Sequence, residues 1–452
     1  MAGAILGGEL KSVRFMILLG CLLTPAALRA EPITLQQAVD LALAHAPAMQ
    51  AAVAGRDASA EDAALGRAWL LPYVEFRGSI QRRKHKTDYD IPQNLFKTDL
   101  NYNENTIGVR VVQSLFDLER WAGYRQGELS AESGELRLQL ERQRLMLETA
   151  RVFLGAATAQ AALAAAEARE AATEKLAVQA EAAQRIGTAA KPQQLDAEAR
   201  RDLAKADRLG AENDLNQARA ELASLTGVTV GEVMLPPLAE TPGALSPAKA
   251  AQWEDKAAEQ AIAVKLAEVR FGVAKQGKKK AFGGALPKIE AFGEISRDRS
   301  GDTMLNRGAT VNDQSIGVQV KMPLYAGGGT TAQMRKSEKE ALQSEFSLAD
   351  DVRLARLAAR QAYLTRESAA ARVSAMQQAT LSARRAAQAA HRGYDVGLRN
   401  ITDVLDADER RFAADRNLAA ASAQYVFAVL QLKASIGELS GNPLPAAFGK
   451  LH

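Results

Sequence analysis

The sequence predicts a mainly helical chain built as two copies of one plan, each pairing two amphipathic strands with one very long helix. Three observations predict it. Short segments recur about 210 residues apart, apolar and polar residues alternate at four places, and two long stretches lack proline. The recurrence fixes how many independent units the chain contains.

"TIGVRVVQSLF" (106–116) returns as "SIGVQVKMPLY" (315–325), and "LPYVEF" (from Leu71) as "LPKIEAF" (from Leu286). "QLDAEARR" (194–201) returns as "VLDADERR" (404–411), 210 residues on. The copies close on "SLTG" (224–227) and "SIGELSG" (435–441). The expected repeats are therefore 31–227 and 251–441. A connector over 228–250 is marked by the prolines of "LPPLAETPGALSP" (235–247), and 442–452 is a tail.

Residues 1–30 read as an export signal. Lys11 and Arg14 precede an apolar run (15–23) and the small-residue stretch "TPAALRA", with cleavage expected after Ala30. "LLGC" (18–21) offers the alternative of lipidation at Cys21. That is the chain's single cysteine, so the exported part is expected to have no disulfide, thiol nucleophile or Cys-ligated zinc.

Strands are expected near 71–84, 104–116, 286–297 and 314–325. Val74, Phe76, Gly78 and Ile80 alternate with Glu75, Arg77 and Ser79. Ile107, Val109 and Val111 alternate with Thr106 and Arg110; Ile289, Ala291 and Ile295 with Lys288, Glu290 and Glu294; Ile316, Val318, Val320 and Met322 with Ser315, Gln319 and Lys321. This is period two, one face apolar and one wet. A soluble sandwich with one face on a core would show it, and so would a membrane barrel. No stretch after the leader reaches the roughly 20 apolar residues of a membrane helix, so strands would have to make any crossing. Four strands cannot close a barrel, for which about eight is the usual minimum. Three chains supplying twelve strands is the simplest closure.

Long helices are expected over 118–186 and 330–392. There is no proline from Gln93 to Lys191, and neither proline nor glycine from Thr330 to Arg392. Such helices would be roughly 100 Å long. In the first, Leu138, Leu145 and Val152 form one seven-residue ladder, and Leu140, Leu147 and Leu154 form another on the opposite side, with Arg137, Arg144 and Arg151 between them. Two opposed seams suit a helix flanked on both sides, as in a closed ring; a flat or bundled coiled coil is the alternative. In the second helix Leu357 and Leu364 are the only clear seven-spaced leucine pair.

Other function classes find little support. Lys plus Arg number 57 against 53 Asp plus Glu, which is no whole-chain basic excess for nucleic acid. Aromatics at 5% disfavour a large globular core. The histidines (His45, His85, His391, His452) are scattered without metal-ligand spacing. "AGGGTT" (326–331) lacks the Lys-Ser/Thr ending of a phosphate loop and reads as a junction. No catalytic, cofactor-binding or metal site is expected, and the chain does not read as an enzyme. "RRKHK" (82–86) and "KKK" (278–280) read as solvated faces, or at a membrane rim as contacts for lipid phosphates.

The stretch "GYDVGLRNITDVLDADERRF" (393–412) gathers Asp395, Asp403, Asp406 and Asp408. Gly397 interrupts a helix, Asn400 or Thr402 caps the next, and Asp403 suits its positive N-terminus. A solvated helix start needs no more than this. Asp403 and Asp406, spaced i, i+3, also share a face. In a three-fold tube each carboxylate occurs three times, so the pair would stack as two acidic rings of the kind that filter cations. Tyr394 and Arg399 would lock a closed state through a hydrogen bond and a charge pair.

From "ITLQQAVDLALAHAPAMQAA" (33–52) through "YDVGLRNITDVLDADERR" (394–411) to "SIGELSG", the chain resembles the TolC-like outer-membrane efflux protein family over nearly all of its length after the leader. The resemblance implies a homotrimer with a 12-stranded barrel in the outer-membrane lipid of a Gram-negative bacterium and a long α-helical tunnel in the periplasm. It implies a passive duct, without cofactor, recruited by a periplasmic adaptor (membrane fusion) protein and an inner-membrane ABC or proton-driven transporter. The cargo would be secreted proteins (type I secretion) or small toxic compounds. Residue by residue, Asp403 and Asp406 fall where the family has its acidic entrance rings, and Tyr394 and Arg399 where it has closing links. Gly187 and Gly397 mark the tip turns (187–193 and 393–402) that meet the adaptor. Glu75, Arg77, Arg110, Glu290, Gln319 and Lys321 would line a wet lumen. One departure is clear: six residues after Gly187, where the family often carries an acidic partner, stands Gln193, preceded by Pro192. The latch between the hairpins is therefore expected to be weaker or built differently. A periplasmic coiled-coil adaptor or structural protein without a pore is the alternative, and it leaves four strands and the repeat without purpose.

Overall fold

The computed structural model describes residues 32–91, 94–233, 250–301 and 308–439. The expected leader with Cys21, the connector segment 235–247 and the tail lie outside the described residues. The chain runs α1 (Leu35–His45), α2 (Pro47–Ala68), β1 (Tyr73–Ile91), β2 (Asn94–Phe116), α3 (Leu118–Arg185), α4 (Lys191–Thr226), α5 (Ala250–Gln260), α6 (Ile262–Gly283), β3 (Lys288–Ser300), β4 (Ala309–Lys321), α7 (Gly329–Asp395) and α8 (Ile401–Ser435).

The strands form one antiparallel sheet in the order β1-β2-β3-β4. Register places Glu75, Arg110, Glu294 and Ser315 in one row across all four strands. Period two then puts Arg77, Glu290, Gln319 and Lys321 on that same face. The other face carries Phe76, Ile80, Val109, Ile295, Ile316 and Val318, all exposed. The β1–β2 hairpin runs further than the apolar alternation marks, because a backbone ladder needs no side-chain pattern to continue. Where the sheet meets the helices, Glu290 is buried rather than open on the wet face. It takes Arg120 Nη2 at 3.2 Å, Gln319 Nε2 at 2.9 Å and Lys321 Nζ at 3.5 Å, so it ties the sheet to the start of α3.

α3 and α7 run unbroken for 68 and 67 residues, roughly 100 Å each. Asp117 caps α3 by accepting the Arg120 amide at 3.1 Å. α3 packs on α2 and α6 toward the sheet and on α4 and α8 toward the far end. Leu145, Val152 and Leu154 are buried in these seams, Leu140 is exposed, and Arg137, Arg144 and Arg151 face solvent. Halfway along, α1, α3, α4 and α8 meet in a waist core of Leu35, Val39, Phe153, Leu222, Val426 and Leu430. Among the described residues no helix is long and apolar enough to cross a membrane.

α2 approaches α3 so closely that glycine is needed at the crossing. A Cβ at Gly127 would fall inside the Asp62 carbonyl, whereas one at Gly210 on α4 would meet nothing. Gly127→Ala is expected to destabilise the fold by about 1–3 kcal/mol through overpacking. Gly210→Ala should be neutral or stabilise it by up to about 1 kcal/mol. Thermal melts of the two variants check both.

Candidate functional site

The far end of the helices is two hairpins, α3–α4 and α7–α8, with turns of the same construction. Gly187 and Gly397 have φ of 77° and 78°, a left-handed conformation that glycine adopts without a Cβ penalty. In the first turn the amides of Thr188 and Ala189 both donate to the Ala183 carbonyl, at 2.9 and 3.2 Å. In the second, those of Leu398 and Arg399 donate to the Gly393 carbonyl at 2.8 and 3.2 Å.

The helix starts after the turns differ. Asn400, not Thr402, caps α8: its Oδ1 accepts the Asp403 amide at 2.8 Å, and Asp403 Oδ2 accepts the Asn400 amide at 3.2 Å. This reciprocal box satisfies two amides that a helix start leaves orphaned. α4 has no side-chain cap, and Pro192 occupies its first turn, where a missing N–H costs little. Among the described residues the Gln193 side chain makes no hydrogen bond. Behind the turns, Leu176, Ala177, Ala180, Ala197, Ala387, Ala390, Val404 and Leu405 form a small-residue core with Tyr394 packed against it.

The charges around this core are joined across helices. Arg200 on α4 reaches Asp406 on α8, Nη1 to Oδ1 at 2.6 Å, with Asp196 at 3.2 Å and Glu409 at 3.7 Å. Burial opposes the Arg200 charge, but the Asp406 and Asp196 carboxylates outweigh it and raise its pKa. Arg169 on α3 pairs with Asp207 on α4 and with Glu409 at 3.3 Å. His391 Nε2 lies 2.8 Å from Oδ2 of the buried Asp408.

Asp403 is exposed and Asp406 half-buried. Among the described residues the Tyr394 hydroxyl and the Arg399 guanidinium form no hydrogen bond or ion pair, so the structure does not join the two expected closing links. Sequence reading missed Arg200, Arg169 and the His391–Asp408 pair. A signal existed for the last: 391 and 408, like the ion pair Arg384–Asp415, are each centred between Arg399 and Asn400, as partners across a hairpin must be. No cluster of His, Cys, Asp and Glu among the described residues is arranged to hold a metal ion. What the tip can do is electrostatic and conformational: present carboxylates, and hold or release one hairpin against the other.

The sequence model of the family described as "Outer membrane efflux protein" matches residues 38–228 and 250–438. The chain is 31% identical over 285 residues to "Outer membrane protein TolC" of Vibrio cholerae, an alignment spanning 59% of this chain and 63% of that protein. It is 27% identical over 404 residues to "Alkaline protease secretion protein AprF" of Pseudomonas aeruginosa, spanning 88% and 83%. In fold it is similar to the crystal structure of the outer membrane protein VceC of Vibrio cholerae, with a TM-score of 0.73, 18% identity and coverage of 89% and 96%.

Arg200→Ala is expected to raise amide exchange several-fold in both turns, with a global stability loss of about 1 kcal/mol or less, because the pair is partly solvated. Asn400→Ala should cost about 1 kcal/mol, confined to the first turn of α8. Hydrogen-exchange mass spectrometry distinguishes the two: a change in α8 alone after Arg200→Ala would show that the Arg200–Asp406 pair does not hold the hairpins together.

Proposed function

The chain belongs to the outer membrane efflux protein family, and from that membership we propose that three copies form an export duct through the outer membrane of a Gram-negative bacterium. The observation that carries this reading is the sheet. Among the described residues its edges, β1 and β4, pair with no further strand, and its apolar face is exposed. Unpaired backbone groups cannot be left in lipid. Three such sheets joined edge to edge give twelve strands, apolar outside, with Glu75, Arg77, Arg110, Gln319 and Lys321 toward a wet lumen. A coiled-coil protein without a pore would leave that apolar face in water.

The helices continue the duct into the periplasm. Residues 31–227 and 251–441 are two structural repeats joined through 228–250, with 442–452 a tail and 1–30 a removable leader. The turns at Gly187 and Gly397 meet a periplasmic adaptor, and an inner-membrane ABC or proton-driven transporter supplies the energy. The family is one of transport ducts rather than enzymes. A relative named for alkaline protease secretion favours a secreted protein as cargo over small toxic compounds.

At the entrance, Asp403 and Asp406 stack as acidic rings, and Tyr394 and Arg399 close the gate by reaching a neighbouring chain. Arg200 offsets Asp406 within its own chain, so the Asp403 ring carries most of the free negative charge.

Single-channel conductance of the purified protein in a planar bilayer tests this. The expected result is a small, cation-selective conductance, blocked by a trivalent cation on the periplasmic side. Asp403→Ala combined with Asp406→Ala should abolish the block. Equal block in the double variant would move the gate elsewhere, and an absence of channels from folded protein would overturn the duct.

A further inference from the structure

Just below the sheet, α6 and α7 enclose an open groove of about 600 Å³. Lys275, Lys279 and Phe282 of α6 face Met334 and Arg335 of α7 across it. Lys278, at its edge, is paired with Glu338 at 3.2 Å. Lys275 lies over the Phe271 ring, 4.1 Å from its centroid. Among the described residues Lys279 and Arg335 enter no ion pair. Phe282 is 52% exposed. The helix C-terminus by itself favours the lysines. It does not account for Arg335 converging on them from a second helix, or for the open aromatic ring beside them.

The groove lies on the side of the sheet's apolar face. On the reverse of the same helix pair is a second, polar groove containing Gly277, Lys280, Ala281 and Gly284, and also Glu119. Glu119 takes Lys288 Nζ at 2.6 Å, and Lys288 stands on the wet face of β3 with Glu290. Around α6 the two sets of lining residues lie roughly 160° apart. Lys279 is about 6 Å below the end of α6, and Arg335 about 9 Å below the start of α7. Above them come Met322, Leu324 and Tyr325, all at least half exposed. The basic groups thus sit just beneath the apolar band, where a bilayer has its phosphates, and Phe282 is at the boundary.

Resting on the proposed placement of the sheet in the outer membrane, we infer that this groove binds an anionic phospholipid of the periplasm-facing leaflet. Lys279 and Arg335 take the phosphate, Lys275 adds charge, and an acyl chain lies along Phe282 and Met334. Basic side chains beside an apolar surface hold such headgroups by charge while their stems stay in contact with the chain.

The test is native mass spectrometry of the purified full chain in non-ionic detergent, titrated with dioleoyl phosphatidylglycerol, dioleoyl phosphatidylcholine or inorganic phosphate. The expected result is tighter binding of phosphatidylglycerol than of phosphatidylcholine. Lys279→Gln with Arg335→Gln should weaken phosphatidylglycerol binding roughly fivefold per charge removed and leave phosphatidylcholine unchanged. Lys279→Arg with Arg335→Lys should keep the preference. Equal phosphatidylglycerol affinity in wild type and the Gln pair overturns the inference, as does inorganic phosphate binding as tightly as the lipid. Planar-bilayer recording separates this from the duct: channels without the lipid preference remove only the lipid site, and no channels remove both.

Discussion

Every turn of α3 has to be covered on two sides, and the rest of the architecture follows from that requirement. A helix of roughly 100 Å cannot wrap a globular core, so it buries opposed stripes against different neighbours. Shorter helices do the covering in relay. α2 and α6, of 22 residues each, lie alongside its first half, and α4 and α8, of 36 and 35, alongside its second. The relay changes hands at the waist, where Phe153 is fully buried and α1 closes over the joint. Away from the waist the helices meet through alanine together with leucine, isoleucine and valine, which explains how a chain so poor in aromatic residues packs at all.

The parts of this plan legible in the sequence are those governed by local rules. Alternation over 74–80 and 316–322 marked strands, the lack of proline and glycine in 330–392 marked one helix, and Gly397 marked its end. Each depends on residues within a few positions of one another. The extent of β1 and β2 was not legible, since their ladder continues where the alternation stops. Nor was the burial of Glu290, which depends on Arg120, 170 positions away. Arg200 was invisible as a partner of Asp406 for the same reason: nothing local tells α4 that α8 lies beside it. His391 was set aside as one of four scattered histidines, although its distance from the turn matches that of Asp408.

The aspartates near the tip show that a structural role and a functional one need not compete. Asp403 closes a capping box, Asp406 binds Arg200, and Asp408 is buried against His391. Each carboxylate has local work within its own chain. A partner, a cation or a neighbouring chain must therefore compete with existing bonds, and the tip holds its shape until something does.

Geometry makes those bonds sensitive. From Phe153 to the end of α3 is roughly 48 Å of stiff helix. Treated as a lever pivoting at the waist, a tilt of only about 5° would carry its end roughly 4 Å, by the same helical rise. Arg200 stands back from that end, roughly 33 Å from Phe153, where the same tilt gives roughly 3 Å, comparable with its 2.6 Å contact to Asp406. A slight tilt at mid-length is thus magnified at the far end, where parting the hairpins has to break a few partly wet ion pairs together with the contacts of Leu176, Ala387, Val404 and Leu405. The far end thereby follows what happens at the waist.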